Sequence, residues 1–179
     1  MMNPEVYTEK GIRAQATAER VIGEICAKYK LDVSWIEDHK DTDRPRLSFD
    51  GFLSKNNKAI GIFEARTRNA ELQNGSLLYN GKAYDTVIVT TAKIEECARY
   101  CKAFNLPLYF FIILNNATLM FTLVDKRGEV FLQAEQYVST TQATINGGEK
   151  TRLNSYLKIK DAKVMREFSG NGVCAGEGG

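Results

Sequence analysis

Apolar residues recur at three- and four-residue steps between about Thr8 and Lys30 (Ile12, Ala16, Ile22, Cys26, Tyr29), which predicts a first helix with one buried face. Glu19 falls inside that stripe, between Ala16 and Ile22. A carboxylate there is costly unless it meets a partner or a metal, or lies far enough toward the edge to reach water. Val33 to Ile36 reads as a short strand, followed by a charged loop from Glu37 to Arg46. Two strands come next, Arg46 to Ser54 and Lys58 to Thr67, joined by Lys55-Asn56-Asn57. Asn tolerates the left-handed conformations of hairpin turns, so the two strands are expected to pair antiparallel.

The segment Ala70 to Ala83 is polar and punctuated by Gly, and reads as a loop with at most a helical turn. Tyr84 to Thr90 (YDTVIVT) is β-branched and predicts a strand. Thr90 or Thr91 then caps a helix reaching about Asn105, with Ile94, Cys97, Ala98, Cys101 and Phe104 on one face. Leu108 to Leu114 (LYFFIIL) is the nearly continuous apolar run of a strand covered on both faces. Leu119 to Val124 and Glu129 to Gln133 predict a second hairpin around Asp125-Lys126-Arg127-Gly128. Beyond Gln136 the pattern weakens, leaving an edge strand at Ser155 to Ile159, and the last ten residues hold five Gly and read as disordered. Together these elements predict one α/β domain over residues 1–167, with a Gly-rich tail at 168–179. Its core is a central mixed sheet flanked by helices in the order α-β-β-β-α-β, with extra C-terminal strands.

Composition narrows the chemistry. The chain has 179 residues, the length of one ordinary domain, and 24 Lys+Arg against 22 Asp+Glu, so charge neither demands nor forbids nucleic acid. No run approaches the ~18 apolar residues of a membrane helix, and the polar start MMNPEVYTEK does not read as a signal peptide. The expectation is a cytoplasmic protein without membrane association, with Cys26, Cys97, Cys101 and Cys174 as free thiols. A single His39 excludes zinc sites built on several His. Chemistry on phosphate must therefore come from carboxylates, Lys and Arg.

The carboxylates of interest lie on the predicted hairpin. Period two places Ile60, Ile62, Glu64 and Arg66 on one strand face, so a charged pair ends an otherwise apolar row. On the preceding strand Asp50 stands among Leu47, Phe49, Phe52 and Leu53. Burying both acids is wasteful unless something positive sits between them. Register decides whether they meet: a two-residue Asn56-Asn57 turn sets Asp50 opposite Phe63, pointing away from Glu64. An odd loop, or an equivalent bulge, sets Asp50 opposite Glu64 with Cβ atoms about 5 Å apart. We expect the odd register, because it creates an oxygen-rich site suited to hard Mg²⁺.

Asp50, thirteen intervening residues and Glu64-Ala65-Arg66, set in the order helix, three strands, helix, strand, resemble the PD-(D/E)XK nuclease superfamily and its restriction-endonuclease-like core. The stretch FDGFLSKNNKAIGIFEARTRN looks like that family's hairpin. The later order, YDTVIVT, a helix with Lys93 near its start, Asn105-Leu106-Pro107 and LYFFIIL, is similar to its phage and repair members. The likeness spans about Thr8 to Val124.

The resemblance implies a metal-dependent DNA nuclease, with Mg²⁺ or Mn²⁺ held by Asp50, Glu64 and the Ala65 carbonyl. Glu19 matches a first-helix carboxylate used as an additional ligand, and Gln73 lies where some members carry a Gln in the following helix. Arg66, Arg68, Lys93 and Gln73 are the expected DNA contacts, and DNA and a second copy of the chain, as a homodimer, are the expected partners. Arg66 stands where the family has its catalytic Lys. Arg stays protonated, so it clamps phosphate and steadies transition-state charge but cannot act as a general base. Lys82, Lys93 or Lys58 are candidates to replace the missing ammonium. The alternative is a catalytically impaired protein of the same fold that binds DNA or a protein partner without cleavage.

Overall fold

The computed structural model describes residues 9–36, 49–131, 134–141 and 150–167. Helix α1 (Glu9–Tyr29) opens the chain, followed by strands β1 (Asp32–Trp35), β2 (Gly51–Lys55) and β3 (Lys58–Thr67). Helix α2 (Thr91–Phe104), β8 (Leu108–Ile113) and β9 (Ala117–Val124) complete the central part of the molecule. A six-stranded mixed sheet runs β1-β2-β3-β8-β9-β12, where β12 is Lys163–Glu167. Only the β3–β8 contact is parallel, and α2 lies on the path that connects those two strands. The fold is thus a mixed α/β sheet with helices on its faces, and the expected α-β-β-β-α-β order is present.

Each helix covers one face of that sheet. Ala18, Val21, Ile22, Ile25 and Cys26 of α1 pack against Phe63 and Ala65 of β3 and Phe111 and Ile113 of β8. Ile94, Cys97 and Cys101 of α2 pack on the opposite face, against Ile62, Phe110, Ile112, Leu119 and Phe121. Strand β8 is therefore covered on both sides, as its LYFFII run requires. The buried stripe of α1 differs from the expected one. It runs through Ala18, Val21, Ile22, Ile25 and Cys26, leaving Ile12 and Tyr29 largely exposed, so Glu19 lies outside it.

Three further departures are local. Residues 70–84 form no helical turn; they build a meander of β4 (Glu71–Gln73), β5 (Ser76–Tyr79) and β6 (Lys82–Tyr84). Its turns are Asn74-Gly75 and Asn80-Gly81, all four residues at positive φ, which is the two-residue turn that Asn-Gly favours. Asn116 pins the meander: its Oδ1 accepts the Leu72 N–H at 2.7 Å and its amide donates to the Leu72 carbonyl at 2.8 Å. The predicted strand at Glu129 to Gln133 reduces to a single bridge, Val124 to Val130, around a turn tied by Asp125 Oδ1, while residues 132–133 lie outside the described residues.

The third departure is at the C-terminal end. Strand β7 (Thr86–Thr90) joins β10 (Glu135–Thr141) and β11 (Lys150–Lys158) in a separate sheet ordered β10-β11-β7. The residues expected to form an edge strand thus belong largely to a central one, and β12 takes an edge of the main sheet. Strand periodicity does not reveal which sheet a strand joins. The charged loop at 37–48 and the Gly-rich tail fall outside the described residues.

Gly51 shows how tightly the strand that follows Asp50 is held. A Cβ at this position would overlap the Ser34 carbonyl oxygen of β1 and the Phe63 ring of β3. Gly51→Ala is expected to lower stability by about 1–3 kcal/mol through overpacking, read as a lower urea midpoint with an unchanged slope.

Candidate active site

The hairpin that carries the two acids combines a tight turn with a bulge. Asn56 and Asn57 form a two-residue turn, both at left-handed φ (51° and 60°), and Lys55 faces Lys58. Taken alone, that turn gives the even register. The ladder then shifts: Ser54 faces Ala59, but Leu53 faces Gly61, so Ile60 is the extra residue. Beyond the shift Gly51 faces Phe63, and Asp50 and Glu64 come next on their strands. The expected meeting of the acids occurs, through a bulge rather than an odd loop.

Asp50 is held by backbone on both sides. Its N–H donates to the Phe63 carbonyl at 2.8 Å, and its own carbonyl accepts from Ile36 at 2.9 Å. Its carboxylate Oδ2 accepts the Ala65 N–H at 2.7 Å. Glu64 has no exposure to solvent and points to the α2 face of the sheet, on the same row as Ile62. Two cations reach its Oε1: the Arg66 guanidinium at 2.5 Å and the Lys93 ammonium at 3.2 Å. Its Oε2 is buried and receives no hydrogen bond. Lys93 arrives from the first turn of α2, the helix packed on that face.

Burial dominates the electrostatics. Desolvation, with the neighbouring Asp50 charge, pushes the Glu64 carboxyl up to about 7, against the pull of Arg66 and Lys93. Asp50 is raised for the same first reason, opposed by the Ala65 N–H and the two cations. Two acids and two bases thus form a four-charge cluster that sums to zero when all are ionised.

The remaining expected site residues are placed elsewhere or at the margin. Glu19 is exposed, accepts a hydrogen bond from Gln15 one turn earlier at 2.9 Å, and lies on the helix of the opposite sheet face. Gln73 ends β4 at the first meander turn, exposed, with no helix there to carry it. Arg68 is exposed two residues beyond Arg66 and donates to the Thr67 carbonyl at 3.3 Å. Of the alternative lysines, Lys93 reaches the acids, whereas Lys58 sits exposed at the hairpin turn and Lys82 on the meander. Among the described residues, no third His, Cys, Asp or Glu joins the pair. No described helix is long and apolar enough to cross a membrane.

The donor set fits a hard divalent ion: two convergent carboxylates, one with a buried oxygen that no proton donor satisfies. Mg²⁺ takes one or two carboxylates and keeps several waters, so a third protein acid is not required.

Comparison with known proteins adds little to this geometry. No family model and no curated protein matches the chain. A solved structure, Hjc of Archaeoglobus fulgidus, a Holliday junction resolvase from an archaeal hyperthermophile, is similar over 80% of this chain and 95% of its own, at 13% identity and TM-score 0.45. A likeness so loose transfers neither family nor activity.

The raised carboxyl sets the sign of a pH effect. Between the ordinary Glu value of 4.5 and about 7, the folded protein keeps a proton that the unfolded chain releases. Stability must then fall as pH rises through that window and level off above it. The loss attributable to Glu64 is about 3 kcal/mol in chelator-treated protein, and Asp50 adds the same sign. Urea unfolding across the window should show this slope in wild type and a flatter one in Glu64→Gln.

Proposed function

We propose that this protein is a metal-dependent DNA nuclease that hydrolyses phosphodiester bonds at the Asp50/Glu64 pair. The observation that carries the reading is a wholly buried Glu64 beside Asp50, ion-paired with Arg66 and Lys93 yet with carboxylate oxygens that receive no hydrogen bond. A carboxylate in that setting costs several kcal/mol to ionise, which a bound divalent ion would offset. Asp50, Glu64 and the Ala65 carbonyl would hold Mg²⁺ or Mn²⁺. When bound, the ion supplies Lewis acidity that makes water a competent nucleophile near neutral pH.

The chain's own groups do the rest. Asp50 stays fixed by the Ala65 N–H, which orients one oxygen and frees the other. Arg66 and Lys93 approach from β3 and α2, two directions suited to gripping the non-bridging oxygens of a phosphodiester. As phosphorus passes through its five-coordinate state, negative charge grows on those oxygens and both cations stabilise it. Lys93 supplies the ammonium that position 66 lacks, and Arg66 adds a permanent charge. Arg68, exposed beside them, extends the cationic strip along the backbone. Pairing of two copies on one DNA is the assembly we propose for a duplex substrate. Phage, mobile-element or repair chemistry is the setting such an activity suits.

The test is a nicking and cleavage assay on supercoiled DNA with Mg²⁺ or Mn²⁺. Wild type should cut, and Asp50→Ala, Glu64→Ala and Lys93→Met should each lose at least about a hundredfold. Cleavage that survives both acid substitutions would refute the mechanism. A wild type that never cuts, with activity appearing in Arg66→Lys, would identify a DNA-binding protein whose nuclease site has been disabled.

A further inference from the structure

The four-charge cluster places a constraint on how the proposed site loads. Asp50 and Glu64 contribute two negative charges, and Arg66 and Lys93 contribute two positive charges on the same Glu64 oxygen. The side chains already balance one another. A divalent ion entering this cluster adds two positive charges where Glu64 has none to spare, in a place where Glu64 itself has no access to water. Either a resident cation must leave, or an anion must arrive.

The two cations are not equally free to leave. The Arg66 side chain is 46% exposed, while that of Lys93 is 23% exposed and rooted in the first turn of a packed helix. Arg66 ends the strand row with solvent beside it, and its long stem allows the guanidinium to turn outward while the backbone stays in the β3 ladder. A DNA phosphate is the anion that both satisfies a displaced guanidinium bidentately and restores the charge balance.

We infer that Arg66 is a gate on metal loading: it competes with the divalent ion for Glu64, and the DNA backbone opens the gate by drawing the guanidinium onto a phosphate. This rests on the proposed function, because it takes the Asp50/Glu64 pair as the metal site. Metal and DNA then bind with positive coupling, each raising the affinity of the other by the same factor. Arg66 is a positioning residue in this step, acting through Glu64. The arrangement also gives Arg at this position a use that Lys would serve less well, since a planar fork passes from carboxylate to phosphate with the same geometry.

The experiment is a Mn²⁺ titration followed by electron paramagnetic resonance at pH 8, on chelator-stripped full-length protein. A phosphorothioate DNA duplex, which keeps the backbone charge and resists hydrolysis, is present or absent. Wild type should bind Mn²⁺ weakly alone and at least about fivefold more tightly with the duplex, within the usual range of site coupling. Arg66→Met should bind Mn²⁺ alone at least about fivefold more tightly than wild type and gain little from the duplex. Arg66→Lys should fall near wild type without DNA. Unchanged or weaker Mn²⁺ binding by Arg66→Met would overturn the gate. Glu64→Gln in the Arg66→Met background separates the two levels. If that change leaves Mn²⁺ binding intact, the metal-site reading itself fails. If it abolishes binding while Arg66→Met alone matches wild type, only the gate fails.

Discussion

An ionisable carboxylate with no solvent contact, set beside a second one, is the constraint around which this molecule is arranged. Glu64 lies on a sheet face otherwise lined by Ile62, Phe110 and Ile112, where an unpaired charge would be untenable. The surrounding structure meets that demand from several directions. The bulge at Ile60 brings Asp50 alongside, the Ala65 N–H fixes Asp50, and α2 delivers Lys93 across the top of the face. Arg66, two residues along the same row, completes the cluster. Strand β3, helix α2 and the segment leading into β2 thus converge on one side chain.

Much of this was legible in the sequence, and the limits of legibility have physical causes. The two acids stood out because each interrupts an apolar run, and the long LYFFIIL strand and amphipathic α2 marked the core around them. That the acids share a face was an inference from chemistry, since the local turn signal argued the other way. Asn56-Asn57 does form the short turn, and the bulge that reverses its consequence leaves no mark in residue type. The meander was different: two Asn-Gly dipeptides carried the signal, but three- and four-residue strands are too short to show clear alternation.

Residues on helices were harder to place than residues on strands. For α1, the observed stripe through Ala18, Val21, Ile22, Ile25 and Cys26 shares only Ile22 and Cys26 with the expected one, and it turns Glu19 to solvent. Sequence spacing gives a helix face but not its rotation relative to a sheet. Lys93 shows the converse. As a first-turn lysine it looks like a solvated charge, and only the docking of α2 on the Glu64 face brings it within ion-pair distance. Chemistry assembled across elements is where reading from one strand stops being sufficient. The identity of residue 66 gains meaning in the same way: beside Lys93, an arginine on Glu64 is one of two cations with different mobility, and not a bare loss of the motif lysine.

The central claim is that Asp50 and Glu64 together hold a divalent ion. The most direct measurement is anomalous X-ray scattering from crystals soaked in Mn²⁺. The account predicts a strong peak between the two carboxylates within ordinary oxygen-coordination distance of both, about 2.0–2.6 Å. Glu64 still paired with Arg66 and Lys93 in saturating Mn²⁺, with any bound ion elsewhere on the protein, would contradict it.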